Sequence, residues 1–502
     1  MRYTYDWTAT GISGQMAATG DSLKRAIEYQ RTGRNAEAAA LYRRILRTDP
    51  DNALVLFNLG VVSQMSGNMD LAASNIERAI ELVPAEPQFR LKMAEILKAS
   101  GRGDEAISHL ENALTKHPGM VALHAALGEA HSDAGRFDEA LACFRQTCRL
   151  EPENPENHIL VGGLFKSFEK PAEAVSEIQK AIELSPDNAL AHHVLGQVLL
   201  AQGEFAGGWR EFEWRLRGPL REWSENLNAL APRWDGSSLD GKTVLVAWEQ
   251  GLGDTIQFIR YLPALAAEGA RVIVLAQGAV AELVSTAPGI ESVIVHGDPI
   301  PPVDCHVTLL SLPYLLSDRI DLDIPCNTPY VKADDDVVAH WRQRLESVFG
   351  LKVGIAWQGN PDNPADARRS VPLSQFFALA RVPGVQLVSL QAFHGVEQLE
   401  GLPDDVKIMD FGDDLVCNQG LRYPAGLVAA VDLVISIDSV MVHLAGAMAK
   451  PVWVSLMANP CWRWQLGRND SPWYPNMRLF RERNRGDWDH VFDEIAVALA
   501  AF

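Results

Sequence analysis

The chain has 502 residues, 47% of them hydrophobic and 22% charged, which is ordinary globular material and long enough for about three domains. A formal net charge of −19 argues against a nucleic-acid partner, because binding a phosphate backbone requires clustered Lys and Arg. The six cysteines show no metal-type spacing, and the N-terminus lacks a signal-peptide pattern. No apolar run approaches the ~18 residues of a membrane span, so we expect a cytoplasmic protein.

A period of 34 residues runs through the first half of the chain, after an N-terminal extension at 1–18. Proline, glycine and alanine each recur with this spacing, and Glu169 occupies the one slot that glycine leaves vacant. The positions are Pro50, Pro84, Pro118, Pro152 and Pro186; Gly33, Gly67, Gly101, Gly135 and Gly203; and Ala38, Ala72, Ala106, Ala140 and Ala174. Glycine turns the chain between two helices and proline ends the second one, so each unit predicts a helix pair.

This pattern resembles the tetratricopeptide-repeat family, with six units over residues 19–222. The last unit departs from it, because Gly208 replaces alanine and no proline closes the unit. Its second helix is aromatic, which is typical of a cap that docks onto another domain. Stacked helix pairs form a recognition surface, so we expect the array to bind a protein partner; an array that serves self-association, as in a homo-oligomer, is the alternative.

The second half reads as an α/β structure, after a linker at 223–241. Short apolar, β-branched runs alternate with helical patterns, which predicts parallel sheets with crossover helices. We expect a first lobe at 242–330, a second lobe at 331–485 and a C-terminal amphipathic helix at 486–502 that crosses back to the first lobe. The expected strands are 244–248, 271–276, 292–296 and 305–309, then 352–357, 385–390, 406–410, 433–437 and 452–456.

Two motifs stand where a strand gives way to a helix: Gly-Leu-Gly-Asp at 251–254 and Ser-Ile-Asp-Ser-Val-Met-Val-His-Leu-Ala-Gly at 436–446. They resemble the two signature regions of glycosyltransferase family 9, the heptosyltransferase-like enzymes. The resemblance implies a GT-B fold of two Rossmann-like lobes, the first binding the acceptor and the second the nucleotide-sugar donor. With the repeats, the chain is similar to bacterial repeat-plus-transferase proteins, some of which glycosylate flagellin. That fold generally needs no metal, and the nucleotide-sugar is a substrate, so no cofactor is expected.

The second motif predicts an anion site. Asp438 and Ser439 lie between a strand and a helix, where free N–H groups and the helix dipole favour a phosphate, and His443 follows about one turn later. The resemblance assigns these three residues to the donor's phosphate region, although Val440 stands where the family usually has a small residue. A plain helix N-cap at Asp438–Ser439 and a core histidine at 443 are the alternatives.

In the first motif, Asp254 is the candidate general base for the acceptor hydroxyl, as the resemblance implies. Gly251 and Gly253 would line the acceptor cleft, and Glu249 and Gln250 in the same turn are the fallback. Asp254 serving only as a helix cap is the alternative, since glycine–aspartate turns are common.

A further donor contact is expected in the loop after strand 352–357, which carries Gln358 and Asn360. The resemblance places a basic residue just before a proline helix start, where Arg369, or Arg368 beside it, is the equivalent. Arginine suits bidentate phosphate binding, whereas a solvated pair of loop charges is the alternative.

Together these features predict a metal-independent, inverting glycosyltransferase that moves a sugar to a protein Ser or Thr hydroxyl, with flagellin a candidate acceptor. Two alternatives stay open: a lipopolysaccharide or other glycan acceptor, and a repeat scaffold whose transferase half is degenerate. The donor is equally open between ADP-heptose and a CMP-linked nonulosonic acid.

Overall fold

The computed structural model describes residues 20–320, 324–325, 327–363, 366–416 and 420–502. The N-terminal extension at 1–18 therefore lies outside the described residues. The chain divides into two compact units, one comprising residues up to 168 with 176–186, the other comprising 169–175 with 187–502. Within the described residues, no helix combines the length and apolarity that crossing a bilayer would require.

Helix pairs make up the first half of the chain. Their bounds are α1 Gly20–Arg31, α2 Asn35–Thr48, α3 Ala53–Met65, α4 Met69–Leu82, α5 Pro87–Ala99, α6 Gly103–Lys116, α7 Val121–Asp133, α8 Phe137–Leu150, α9 Pro155–Ser167, α10 Pro171–Leu184, α11 Ala189–Gln202 and α12 Phe205–Phe212. The periodic glycines all adopt the left-handed conformation, with φ from 73° to 83°, and Glu169 does so as well, with φ 53°. The five periodic alanines are fully buried.

Two further glycines, Gly60 in α3 and Gly128 in α7, lie where the two helices of a pair meet. A Cβ on Gly60 would stand 2.7 Å from Ile76 Cδ1, and one on Gly128 would stand 2.5 Å from Phe144 Cε1. Both distances are shorter than carbon contacts allow, so the period records the sites of closest helix approach. The prediction of an all-helical repeat array is confirmed.

The last helix pair belongs to the second compact unit and continues into the α/β part. A 3₁₀ turn at Glu213–Leu216 follows α12, and then helix α13 covers Arg221–Asn228. Trp223, the first residue of the linker expected at 223–241, lies in α13. Trp209 and Phe212 are buried in the same apolar cluster as the first sheet's helices.

The first sheet has four parallel strands in the order β3-β2-β1-β4. Its strands are β1 Thr243–Ala247, β2 Arg271–Ala276, β3 Ser292–Val295 and β4 Cys305–Thr308, and its helices are α14 Leu252–Phe258, α15 Leu262–Ala267, α16 Gly278–Val284 and α17 Leu312–Leu315. β1 is buried along its whole length, as its run of apolar residues predicts.

The second sheet has six parallel strands in the order β10-β9-β8-β5-β6-β7. They are β5 Leu351–Ala356, β6 Val385–Ser389, β7 Ile408–Met409, β8 Leu433–Ile437, β9 Val452–Leu456 and β10 Met477–Arg481. The accompanying helices are α18 Asp335–Arg344, α19 Asp366–Arg369, α20 Phe377–Ala380, α21 Asp413–Val416, α22 Arg422–Ala430, α23 Val440–Ala447 and α24 Trp488–Ala500. Two separate parallel sheets confirm an α/β structure for the second half.

The C-terminal helix corrects one expectation. We expected residues 486–502 to cross back to the first lobe. Instead, Val491, Phe492 and Ile495 of α24 pack in one apolar cluster with the strands of the second sheet. The 3–4 spacing of these residues predicts an apolar stripe but not which sheet the stripe covers.

Candidate functional site

The turn from β1 to α14 holds Asp254 through its own helix. Asp254 is in the first turn of α14, and its Oδ2 accepts a hydrogen bond from the backbone N–H of Gly251 at 2.8 Å. Gln250 adopts a left-handed conformation, with φ 62°, and its side chain is exposed. The Asp254 side chain is 16% exposed, so it remains accessible while it caps the helix. Capping and a chemical role are therefore compatible here.

Glu249, the fallback base, lies elsewhere. Its carboxylate is buried and pairs in bidentate fashion with Arg215, whose Nε and Nη2 donate to its two oxygens at 2.8 Å each. The backbone N–H of Leu310 donates to the same carboxylate at 2.9 Å. Glu249 comes before the glycine turn and is buried, whereas Asp254 comes after the turn, in the first turn of α14. Glu249 is thus a structural residue and not part of an accessible cleft.

The turn from β8 to α23 has the arrangement of a helix N-terminus. Ser439 is the N-cap: its Oγ accepts from the N–H of Met441 at 3.3 Å and lies 3.0 Å from Ser436 Oγ. Asp438 precedes it, and burial raises the pKa of its carboxyl group, with Arg369 and Arg463 acting in the opposite direction. The cap predicted as an alternative is therefore present, and α23 still presents its dipole to the same space.

His443 is buried one turn into α23. Its Nδ1 lies 3.1 Å from the hydroxyl of Tyr474, and its ring stacks on Trp464 with centroids 5.6 Å apart. Burial lowers the pKa of His443 well below its usual value, and the positive charges of Arg463, Arg260 and Arg369 lower it further. The imidazole is therefore neutral near pH 7 and can offer one N–H without carrying a charge.

The two motifs meet directly. A Cβ on Gly253 would stand only 2.7 Å from Cδ2 of His443, so the glycine is needed for the approach of the first motif to the second. Asp254 also acts electrostatically on Asp438. Both turns follow the carboxyl ends of parallel strands, which is where ligands bind in open α/β sheets. The structure therefore places Gly253, next to Asp254, against His443, in the helix that begins beside Asp438 and Ser439.

Arg463 joins the two turns, and the sequence had not singled it out. It forms an ion pair with Asp254 through Nη2, and its Nε donates to Gln257 Oε1 at 3.0 Å. Its Nη1 lies 2.9 Å from the sulfur of Cys461, and its guanidinium stands 4.2 Å from the ring centroid of Trp462. Burial lowers the pKa of Arg463, but the interactions with Asp254, Cys461 and Asp438 together outweigh burial and leave it raised. The side chain is a fixed cation.

The aromatic loop that carries Arg463 is held by the last repeat. Trp209 of α12 makes edge-on contacts with Phe258 of α14 and with Trp462 and Trp473, with ring centroids 5.2 to 6.4 Å apart. Such pairs add to the area that the rings bury. The cap helix therefore helps to fix both the helix of Asp254 and the loop of Arg463.

The remaining predicted donor contacts lie in the segment that follows β5. Gln358 accepts a hydrogen bond from Gln398 at 3.1 Å, and Arg369 donates through Nε to buried Asp366 at 3.1 Å. Arg368 and Asn360 are exposed. A cavity of about 360 Å³ is lined by Gln358, Asp366 and Gln398, among others. Arg369 acts on both Asp438 and His443 and so belongs electrostatically to the site, whereas the Gln358 side chain already accepts a hydrogen bond from Gln398.

Among the described residues, no group of three or more His, Cys, Asp or Glu side chains could hold a metal ion. Two residues that tie the site together were not predicted: Arg260, whose Nη2 donates to Tyr330 at 2.9 Å, and Tyr474, the partner of His443. Only an aromatic and arginine-rich composition could have pointed to them, because their partners lie 70 and 31 positions away.

Comparison with known proteins supports the assignment of the first half. Tetratricopeptide-repeat family profiles match residues 23–87, 97–162 and 165–208. The N-terminal half of the chain is a tetratricopeptide-repeat array. The chain is 28% identical to Protein FlbA of Caulobacter vibrioides over 337 residues, which cover 61% of this chain and 54% of that protein. It therefore spans about half the length of the curated relative it matches.

Solved structures similar to the chain are repeat proteins. The thermophilic tetratricopeptide protein TTC0263 of Thermus thermophilus is 23% identical, covering 36% of this chain and all of its own, with a TM-score of 0.31. YrrB, described as a tetratricopeptide protein with an unusual peptide-binding site, is 19% identical, covering 37% of this chain and 97% of its own, with a TM-score of 0.30.

Proposed function

We propose that the second half of the chain is a GT-B glycosyltransferase that moves a sugar from a nucleotide-sugar to a hydroxyl group. The observation that carries the proposal is the contact between the two strand-to-helix turns: Gly253, next to Asp254, lies against His443 of α23. A carboxylate and a helix N-terminus that lie together, each after a parallel strand, supply a proton acceptor and an anion site in one place.

In the proposed reaction, an acceptor hydroxyl attacks the anomeric carbon from the face opposite the leaving phosphate. Asp254 takes the hydroxyl proton as the new carbon–oxygen bond forms. The bond between the anomeric carbon and the phosphate oxygen breaks, and the nucleotide leaves with the electron pair. The N-terminus of α23 and neutral His443 offer N–H groups to the growing negative charge, which is how such sites lower a barrier. Arg369 adds positive charge nearby.

We propose a protein Ser or Thr as the acceptor, because a repeat array precedes the transferase in the same chain. Tetratricopeptide arrays bind polypeptides on surfaces built from successive helices. Flagellin is a candidate for this polypeptide. The packing of Trp209 against Phe258 and Trp462 supports the same idea, because it joins the last repeat to the helix and loop that hold Asp254.

Transfer can be tested with the full-length chain, a set of nucleotide-sugars that includes ADP-heptose and a CMP-linked nonulosonic acid, and flagellin as acceptor. Mass spectrometry should show flagellin heavier by one sugar with the wild-type chain. Asp254→Asn should reduce transfer at least 100-fold, because loss of a general base typically costs about 10²–10⁴. Asp470→Asn, a surface carboxylate paired with Arg468, is the matched control and should leave transfer unchanged.

Three results would count against the proposal. Wild-type turnover by Asp254→Asn would remove Asp254 as the base. Transfer to a lipopolysaccharide or other glycan, but not to protein, would keep the chemistry and reject the acceptor. Failure of the wild-type chain to bind any nucleotide in calorimetry would leave a repeat scaffold with a degenerate transferase half.

A further inference from the structure

A buried hydrogen-bond donor without an acceptor lies beside the contact between the two turns. The amide Nε2 of Gln257 is buried and has no hydrogen-bond partner. The indole of Trp464, also fully buried, interacts with the Asp438 carboxyl and lowers the pKa of that group. A buried donor without a partner costs about 1–3 kcal/mol, so the Gln257 amide needs an explanation such as a bound anion.

Arg463 has donors left over in the same place. A guanidinium carries five N–H groups in a planar fork. Single contacts join Nε to Gln257, Nη1 to Cys461 and Nη2 to Asp254, which leaves one N–H on each terminal nitrogen. These two terminal nitrogens are the pair that arginine uses to bind a phosphate with two parallel hydrogen bonds.

Arg463 is also placed to serve both turns. Its positive charge acts on Asp438 and on His443, which flank the N-terminus of α23, while its ion pair is with Asp254 of the first turn. Its side chain is 8% exposed and its guanidinium lies on the ring of Trp462, so the cation cannot swing away into solvent. An anion that binds at the N-terminus of α23 therefore meets this guanidinium.

The ion pair limits what Asp254 can do. Its Oδ1 is engaged by Arg463 and its Oδ2 by the backbone N–H of Gly251. Both oxygens of the carboxylate are therefore already hydrogen-bond acceptors within the protein. Drawing Arg463 away would free Oδ1 to face the hydroxyl of an acceptor.

We propose that Arg463 is the phosphate-binding arginine of this site and that it exchanges Asp254 for the donor's phosphate when the nucleotide-sugar binds. The proposal rests on the proposed function and deepens it. The exchange frees Oδ1 of Asp254 only when a donor is bound, so the base becomes available in the complex that needs it. The unpartnered amide of Gln257 would turn to the same phosphate.

The exchange makes two substitutions act in opposite directions. Arg463→Gln removes the phosphate ligand and should weaken binding at least tenfold, because an arginine–phosphate pair is among the stronger charge-assisted contacts. Asp254→Asn removes the competitor and should tighten binding about threefold or more. Arg463→Lys keeps the charge without the fork and should fall between wild type and Arg463→Gln.

Calorimetry on the full-length chain with UDP, ADP, CMP and inorganic pyrophosphate tests this without any assay of turnover. Arg468→Gln, which breaks a surface ion pair with Asp470, is the matched control and should bind like wild type. The tryptophan-fluorescence melting temperature of each variant checks its folding. If Arg463→Gln does not fold, the nucleotide affinity of Asp254→Asn alone tests the exchange.

Wild-type affinity in Arg463→Gln, or an equal loss of affinity in Asp254→Asn, would show that the ion pair is structural only and overturn the exchange. Neither result touches the proposed transferase, since the wild-type chain would still bind a nucleotide. Absence of binding by the wild-type chain to all four probes would overturn both proposals together.

Discussion

The pair between Arg215 and Glu249 allows the most quantitative prediction. Arg215 is fully buried at the end of the last repeat, and Glu249 follows β1 in the turn toward α14. Arg215→Met removes the cation but keeps the volume, which leaves the Glu249 carboxylate buried with one backbone N–H, that of Leu310. Removing one member of a buried pair typically costs about 3–5 kcal/mol. We expect that loss in the second compact unit.

Intrinsic tryptophan fluorescence measures this loss of stability, because twelve of the thirteen tryptophans lie from residue 209 onward, within the second unit. About 320 residues unfolding with about 2.1 cal/mol/K each give roughly 1.5 °C per kcal/mol, so the melting temperature should fall by about 5–8 °C. The double variant Arg215→Met/Glu249→Leu should recover much of the loss, since an apolar pair often replaces a buried ion pair without cost. Arg381→Gln, at an exposed ion pair, is the control and should melt like wild type. A drop no larger than the control's would refute the structural role of the pair.

Three further predictions concern the contact between the turns and the repeat. Gly253→Ala should destabilise the second unit by about 1–3 kcal/mol, because its Cβ would overlap the ring of His443, whereas Gly251→Ala should cost less; equal melting temperatures would contradict this. Because the pKa of His443 is lower in the folded state than its unfolded value of about 6.5, its contribution to stability should be complete above that pH and be lost as pH falls below it. Thermal melts from pH 7.5 to 5 should therefore have a shallower slope in His443→Gln, and an unchanged slope would count against a buried neutral imidazole. Glu169→Gly should stabilise the chain by about 0.5–1 kcal/mol in thermal melts, since φ 53° is unfavourable for a side chain; a loss of stability would point to an unrecognised contact of Glu169.

Local signals predicted most of the fold. The 34-residue period fixed the helix pairs because glycine and proline act on the backbone where they stand. Strands β2, β8 and β9 have the expected bounds, since a continuous apolar run is a property of the segment itself. β10 was not predicted: Met477–Arg481 alternates arginine with apolar residues and has an edge position, so only its pairing with β9 identifies it as a strand.

The site was predicted less completely, and the difference has a physical cause. Asp254, Asp438 and His443 stand at strand–helix turns, where backbone geometry alone places them at the ligand edge of a sheet. Arg463 lies 209 positions from its partner, and nothing in the sequence around it says which carboxylate it would meet. Glu249 is close to Asp254 in the sequence, which suggested a shared site. Its carboxylate instead pairs with buried Arg215 of the repeat cap.

A structure of the full-length chain with a bound nucleotide tests the central claim most directly, namely that the turns at 251–254 and 438–443 form one anion site. UDP, ADP and CMP can each be soaked at saturating concentration. We expect phosphate oxygens within hydrogen-bonding distance of the backbone N–H groups at the start of α23 and of Arg463. A nucleotide bound with its phosphates elsewhere, such as in the cavity lined by Gln358 and Gln398, would contradict the claim.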